Sequence, residues 1–164
     1  KHIVVITGGT GLAPVRSMLN LFASDPDFVK SVTLICGFKN EEGIIFRKEL
    51  EYWKSNKIFT TWYTLDRDKI PGWNVGFVTE YVSEVPFKQF GDAYEVVIVG
   101  PPPMMKFTGI AAIKEGVPED KIWMSFERKM SCAVGKCGHC RIDETYVCLE
   151  GPVFSYTQAK YLVD

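Results

Sequence analysis

Apolar runs of strand length alternate along this chain with segments of helical period, and turn-forming residues stand between them. Ile3 to Thr7 is β-branched and unbroken, the pattern of a strand buried on both faces. A glycine-rich turn follows, and Val15, Met18, Leu19 and Phe22 then recur at helical spacing. Ser31 to Cys36 predicts a second strand ending at Gly37, Glu41 to Lys54 an amphipathic helix carrying Ile44, Ile45, Leu50 and Trp53, and Lys57 to Leu65 a third strand. Asp66 to Gly76 holds Pro71, Gly72, Asn74 and Gly76 and predicts a loop, with a short helix after it over Phe77 to Val85. Tyr94 to Val99 predicts another buried strand, Pro102 to Lys114 a helix opened by prolines, and Ile122 to Phe126 the last strand. Repeated strand–helix alternation predicts an α/β fold, a doubly wound parallel sheet with right-handed crossovers and helices on both faces.

The pattern changes after Glu127. Residues 128–150 show no helical period and hold four cysteines with Gly135 and Gly138, so a bound metal is expected to organise this stretch in place of a core. Only Tyr156 to Val163 reads as helical again. The expected organisation is a nucleotide-binding unit over residues 1–126 and a small Cys-rich segment over residues 127–164. Because the chain enters a strand at once, with neither initiator Met nor leader, a piece of a longer protein is expected.

Charge narrows the partners. With 19 Lys plus Arg against 20 Asp plus Glu the net charge is −1, which gives no reason to expect nucleic acid or an anionic membrane surface. A content of 46% hydrophobic and 24% charged residues is that of a compact chain rather than a disordered one. No apolar run approaches the roughly 20 residues needed to cross a bilayer, so no membrane insertion is expected.

Cys132-x4-Cys137-x2-Cys140-x7-Cys148 carries the strongest chemistry, because its first three positions have the spacing of plant-type 2Fe-2S ligands. Small Ala133 and the glycines at 135 and 138 let a loop turn its amides inward. A zinc site of four thiolates is the competing reading, although zinc modules usually show two short Cys-x2-Cys pairs and only one is present. An odd, clustered set of five cysteines argues for metal ligation in a reducing, cytoplasmic setting over a disulfide framework. Cys36, at the end of the second strand, reads as a buried apolar residue.

A second site lies in Thr7-Gly8-Gly9-Thr10-Gly11-Leu12-Ala13-Pro14, between a predicted strand and a predicted helix. Glycines there admit a pyrophosphate to the backbone, and the helix amino end supplies positive dipole. Ala13 or Pro14 stands near the place of the third glycine of Gly-x-Gly-x-x-Gly, which points away from ordinary dehydrogenases. Gly100-Pro101-Pro102-Pro103-Met104-Met105 ends another strand, and two such loops on one sheet edge can face a single dinucleotide crevice. Gly37 and Lys39 follow the second strand, where an adenosine ribose or phosphate would lie, though a solvated turn explains them as well. Basic residues do not stand in pairs there, which favours NADH, and Lys39 keeps NADPH open.

Taken in order, these motifs resemble the ferredoxin–NADP reductase superfamily, whose pyridine-nucleotide half the chain matches from Ile3 to about Phe126. The stretch from Glu127-Arg128-Lys129-Met130 through Cys148-Leu149-Glu150-Gly151-Pro152-Val153-Phe154 resembles the subgroup with a C-terminal 2Fe-2S cluster. Its short final gap is most similar to the electron-transfer subunit of anaerobic sulfite reductase, next to the gamma subunit of NAD(P)-linked nickel–iron hydrogenases, and less to the dihydroorotate dehydrogenase type. The resemblance implies an electron-transfer oxidoreductase subunit. NAD(P)H would bind at the two glycine-containing loops, Met104 included, and a 2Fe-2S cluster would sit on Cys132, Cys137, Cys140 and Cys148. It also implies FAD in an N-terminal barrel upstream of this chain, and a catalytic partner subunit of sulfite reductase or hydrogenase type. A non-catalytic dinucleotide sensor with a zinc-binding tail is the reading from another class.

Overall fold

The computed structural model describes residues 1–163. Five parallel strands form the body of one sheet: β1 (His2–Gly8), β2 (Ser31–Phe38), β3 (Phe59–Leu65), and, after a two-residue edge strand β4 (Asn74–Val75), β5 (Tyr94–Val99) and β6 (Ile122–Ser125). Their order is β4-β3-β2-β1-β5-β6, so the chain grows outward from β1 in one direction, returns, and grows in the other. That reversal lies between β1 and β5, which pair in register from His2 opposite Tyr94 to Thr7 opposite Val99.

Alternate side chains of the central strands enter two cores. Val5 faces the layer of α1 (Leu12–Ser24) and α2 (Arg47–Ser55), where Leu12, Val15, Leu19, Phe22, Leu50 and Trp53 pack. Val4 and Ile6 face the opposite layer with α3 (Pro102–Lys114), whose Met105 and Ala112 are buried. Residues covered on both faces have to be continuously apolar, which is why Val4, Val5 and Ile6 are each wholly buried. A polar chain ties α1 to α2: the Trp53 indole donates to Asn20 at 2.9 Å, and Asn20 and Arg16 each donate to the Glu49 carboxylate at 2.6 Å.

Local departures from the expected elements have local causes. The helix expected from Glu41 begins only at Arg47, because Asn40 accepts from the Gly43 amide and sets a short 3-10 turn over Glu41–Gly43. Extended backbone then buries Ile44, and Phe46 takes a left-handed conformation before α2 starts. Val78–Glu84 is 3-10 rather than α, with Glu80 accepting from the Phe77 amide at 2.7 Å. The helix expected over Tyr156 to Val163 is one turn, α5 (Tyr156–Ala159), followed by a turn that buries Val163.

The Cys-rich segment is packed on the core through more residues than the sequence pattern shows, Cys140 and Val147 among residues 128–150 and four more after them. A hairpin of β7 (Arg141–Ile142) and β8 (Thr145–Tyr146) leads into a short helix, α4 (Val147–Glu150). The chain then returns as β9 (Val153–Ser155), antiparallel on β6, with Phe154 opposite Met124. Cys140, Val147, Phe154, Tyr156, Ala159 and Val163 all belong to the same core as Val96, Ile98 and Met124. Two apolar residues set far apart in sequence, Phe126 and Phe154, meet edge to face at 5.5 Å. The segment is a continuation of the sheet, and the apolar contact that fixes it uses positions too few and too scattered to show a period.

Among the described residues no helix is long and apolar enough to cross a membrane. A Phe154→Ala variant should lose about 3–5 kcal/mol of stability, the cost of truncating a fully packed aromatic. Urea unfolding followed by circular dichroism and by tryptophan fluorescence should then show both signals moving together to lower denaturant.

Candidate dinucleotide crevice and cysteine cluster

At the carboxyl end of the reversal between β1 and β5 the two loops touch through backbone. A Cβ on Gly11 would meet the Val99 carbonyl group, with its carbon at 2.7 Å and the Gly100 Cα at 3.0 Å. A Cβ on Gly100 would come within 2.6 Å of the Met104 sulfur and 3.3 Å of the Gly8 amide nitrogen. Space requires glycine at Gly11, where the clash is with backbone, whereas at Gly100 the Met104 side chain would have to move aside. Gly9 differs, with a φ of +56° and nothing within 4 Å of where a Cβ would stand, so it needs the left-handed conformation and opens toward solvent.

Beside this contact lies a cavity of about 530 Å³. Gly8, Gly9, Gly37, Lys39, Pro101 and Met104 line it, which brings together residues of three separate sequence motifs. The other residues of those motifs are placed differently. Thr7 and Leu12 are buried beneath the loop, and Gly11 is enclosed against β5. Thr10, Ala13, Pro14 and Pro102 are exposed, while Gly100 stands behind the Met104 side chain.

Sequence motifs missed the opposite wall. Phe38, Asp66, Phe77, Val78, Thr79 and Phe107 complete the lining with Pro103. Asp66 ends the strand-length run of β3, and its position after a strand was the available signal; Phe77 and Phe107 carried none. Burial raises the Asp66 carboxyl above its ordinary range, against the charges of Lys39 and Arg67. A wall of Phe, Pro and Met with a polar edge suits a flat base and a ribose better than a charged pyrophosphate.

The four clustered cysteines stand as two pairs. Cys132 and Cys137 are within hydrogen-bonding reach of each other, as are Cys140 and Cys148. Amides of Val134, Lys136 and Cys137 donate to the Cys132 sulfur at 3.4, 3.3 and 3.4 Å, and the Cys148 amide donates to Cys140 at 3.4 Å. Gly135 and Gly138 take positive φ and turn this loop. Amide donors hold the Cys132 thiol below its usual range, and bonds led by the His139 amide bring Cys137 to about 7. Desolvation pushes Cys148 up. Among the described residues no three His, Cys, Asp or Glu side chains converge tightly enough to hold a single metal ion. Cys36 is elsewhere, wholly buried beside Thr7, and burial pushes its thiol up to about 12.

Residues 5–109 match the family model of the oxidoreductase NAD-binding domain. The chain belongs to that family. Beyond the NAD-binding domain, residues 127–160 match the iron–sulfur cluster binding domain of dihydroorotate dehydrogenase B. The gamma subunit of sulfhydrogenase 2 from Pyrococcus furiosus is 32% identical over 97% of the chain and 60% of that subunit. The gamma subunit of sulfhydrogenase 1 from the same organism is 33% identical over 94% of the chain and 54% of its own length. The chain thus spans little more than half of these relatives. Among solved structures, the cytochrome b5 reductase domain of Ulva prolifera nitrate reductase superimposes with a TM-score of 0.66 at 31% identity, over 77% of this chain and 48% of that one. An NADH-dependent reduced ferredoxin-NADP oxidoreductase gives a TM-score of 0.67 at 24% identity over 96% of this chain and 53% of that one, a likeness of fold that takes in the cysteine segment. This NAD-binding domain is therefore a ferredoxin reductase-like module of the oxidoreductase class, followed by an iron–sulfur binding segment.

Gly11→Val should destabilise the fold by at least about 2 kcal/mol, since its side chain would have to displace the Val99 backbone; thermal melting measures this. Gly9→Asp places a compatible left-handed residue and a negative charge at the open position. It should change stability by no more than about 1 kcal/mol while weakening NADH binding at least about tenfold in a calorimetric titration.

Proposed function

We propose that the chain is the nucleotide- and cluster-binding part of an electron-transfer subunit that draws on NAD(P)H and serves a hydrogenase-type catalytic partner. The observation that carries the reading is the placement of both sites on one sheet with a shared core. The glycine crevice lies at the carboxyl ends of β1 and β5, and the thiol pairs follow the carboxyl end of β6 in a segment sharing their core. The resemblance of the cysteine segment to known subunits puts a sulfite-reducing partner first and a hydrogenase partner second. The two sulfhydrogenase gamma subunits, similar over nearly the whole chain, favour the second.

The donor set fits a two-iron, two-sulfide cluster. Cys132 with Cys137 and Cys140 with Cys148 offer two thiol pairs, one for each iron, whereas a single zinc ion calls for four thiols around one centre. A 2Fe-2S cluster on them would supply one-electron chemistry, and FAD, held mainly by a further domain, would convert hydride pairs to single electrons. This chain's residues do the positioning. The Gly8–Gly9 backbone admits the nucleotide, Pro101, Pro103 and Met104 offer it an apolar wall, and the amides of Val134, Lys136 and Cys137 stabilise negative charge at the Cys132 sulfur.

Anaerobically purified protein should be brown and bleach on reduction. Cys148→Ser should lose or alter that spectrum and Cys36→Ala should keep it, as metal analysis and visible absorption will report. An unaltered spectrum in Cys148→Ser overturns the ligand assignment, and a colourless zinc protein favours the sensor reading. For the partner, full-length protein should be combined with catalytic subunits while NADH oxidation is followed. The hydrogenase reading expects turnover with protons as final acceptor; turnover with sulfite and none with protons would return the assignment to sulfite reductase.

A further inference from the structure

Backbone of two different kinds carries the two thiol pairs. Cys148 sits on α4, a single turn whose Val147 is wholly buried in the core and whose Glu150 carboxylate accepts from the Tyr146 amide at 2.9 Å. Cys140 is buried in the same core. Cys132 and Cys137 instead stand on residues 126–138, which form neither helix nor strand. Leu149, next to Cys148 on α4, reaches from the anchored pair to that loop. A Cβ on Gly135 would collide with the Leu149 Cδ1 and lie 2.9 Å from its Cγ, so the leucine side chain fills the space a larger residue at 135 would need. The Gly135 amide, in turn, lies within hydrogen-bonding reach of the Cys148 sulfur. Resting on the reading that the four cysteines hold one cluster, we infer that Leu149 is a positioning residue for its ligands: seated on Gly135, it clasps the Cys132–Cys137 loop against the Cys140–Cys148 pair.

Exposure separates this contact from core packing. Leu149 is 61% exposed and lies outside the core to which Val147 belongs, so what its side chain holds is the loop rather than the sheet. The loop side is equally specific. Gly135 takes a φ of +75° and turns its bare face to Leu149, while the amides of its neighbours Val134 and Lys136 donate to the Cys132 sulfur at 3.4 and 3.3 Å. The residue under Leu149 therefore lies between two of the amides that fix Cys132. When Gly135 moves away, those donors and its own reach to Cys148 go with it, and the two thiol pairs separate. A loop without helix or strand opens locally at small cost, so the clasp sets how long the four sulfurs stay together.

The test uses full-length protein, iron-loaded and iron-free. With excess iron chelator, Leu149→Ala should lose its visible absorption at least about fivefold faster than the parent. In the iron-free protein, iodoacetamide should alkylate Cys132 faster by a similar factor, with wholly buried Cys36 as the unreactive reference. Leu149→Met should return both rates to near the parent's, because an unbranched apolar side chain can reach the same space. Melting followed by circular dichroism should match the parent in both variants. Gly135→Ala gives an independent arm: its left-handed strain is the same in either background, whereas its collision with Leu149 is not, so it should speed both reactions less in Leu149→Ala than in the parent. Parent-like rates in Leu149→Ala, rates that Met does not restore, or two effects that simply multiply overturn the clasp. A melting temperature that falls along with the rates makes Leu149 an ordinary packing residue and overturns it as well. A parent that binds no iron overturns the cluster reading and the role of the clasp with it, whereas a firmly bound cluster indifferent to Leu149 overturns the clasp alone.

Discussion

Everything in this molecule hangs from a contact with no side chain in it. Where the glycine loop after β1 lies against the end of β5, Gly11 meets the Val99 carbonyl and Gly8 approaches Gly100. Parallel neighbours are held along their length by ladder hydrogen bonds, but at the point where the strand order reverses their two following loops part to opposite faces of the sheet. A side chain at Gly11 would wedge them open at that point. With glycine there, α1 and α3 start close together on opposite faces, and a crevice forms between the two helix beginnings. Helix layers, cores and nucleotide site therefore share one steric requirement.

The second constraint is the core that runs from the nucleotide half into the cysteine segment. Gly109 in α3 lets Tyr156 and Met124 pack at 2.6 and 2.7 Å from where its Cβ would be, so helix, last parallel strand and returning chain close on one another. Phe126 and Phe154 lock the same junction, and the Phe126 amide donates to the Pro152 carbonyl at 2.9 Å. Apolar burial of this kind contributes roughly 25 cal/mol per Å² to holding the junction. The segment that carries the cysteines is thus joined to the sheet through its core residues Cys140, Val147 and Phe154.

Strong periodicity made the sheet legible. Continuous β-branched runs marked β1, β2 and β5, because only strands covered on both faces need them, and glycine-rich turns after two of them marked where a ligand could approach. Several elements of two to four residues were not legible: β4, the β7–β8 hairpin, α4 and β9 are held by tertiary partners rather than by local pattern. The crevice was half legible for the same reason. Glycines announce themselves by chain position, whereas Phe77 and Phe107 reach the cavity from a 3-10 turn and from an outward helical face, and nothing local distinguishes them from ordinary surface aromatics.

The cysteines show how core and chemistry divide one short segment. Cys140 is 2% exposed and belongs to the core, while Cys137 is open to solvent on the glycine-turned loop. A group bound by all four would be anchored through Cys140 and presented through the Cys132–Cys137 side. Leu149, packed on Gly135, and Val134 stand exposed beside that side. On the proposed reading, nicotinamide would release electrons as a hydride pair and an iron–sulfur centre would accept one at a time, so the two sites of this chain could not exchange directly. Both are attached to one sheet and its shared core. A carrier between them would take the pair and release its electrons singly to the centre held by the cysteines.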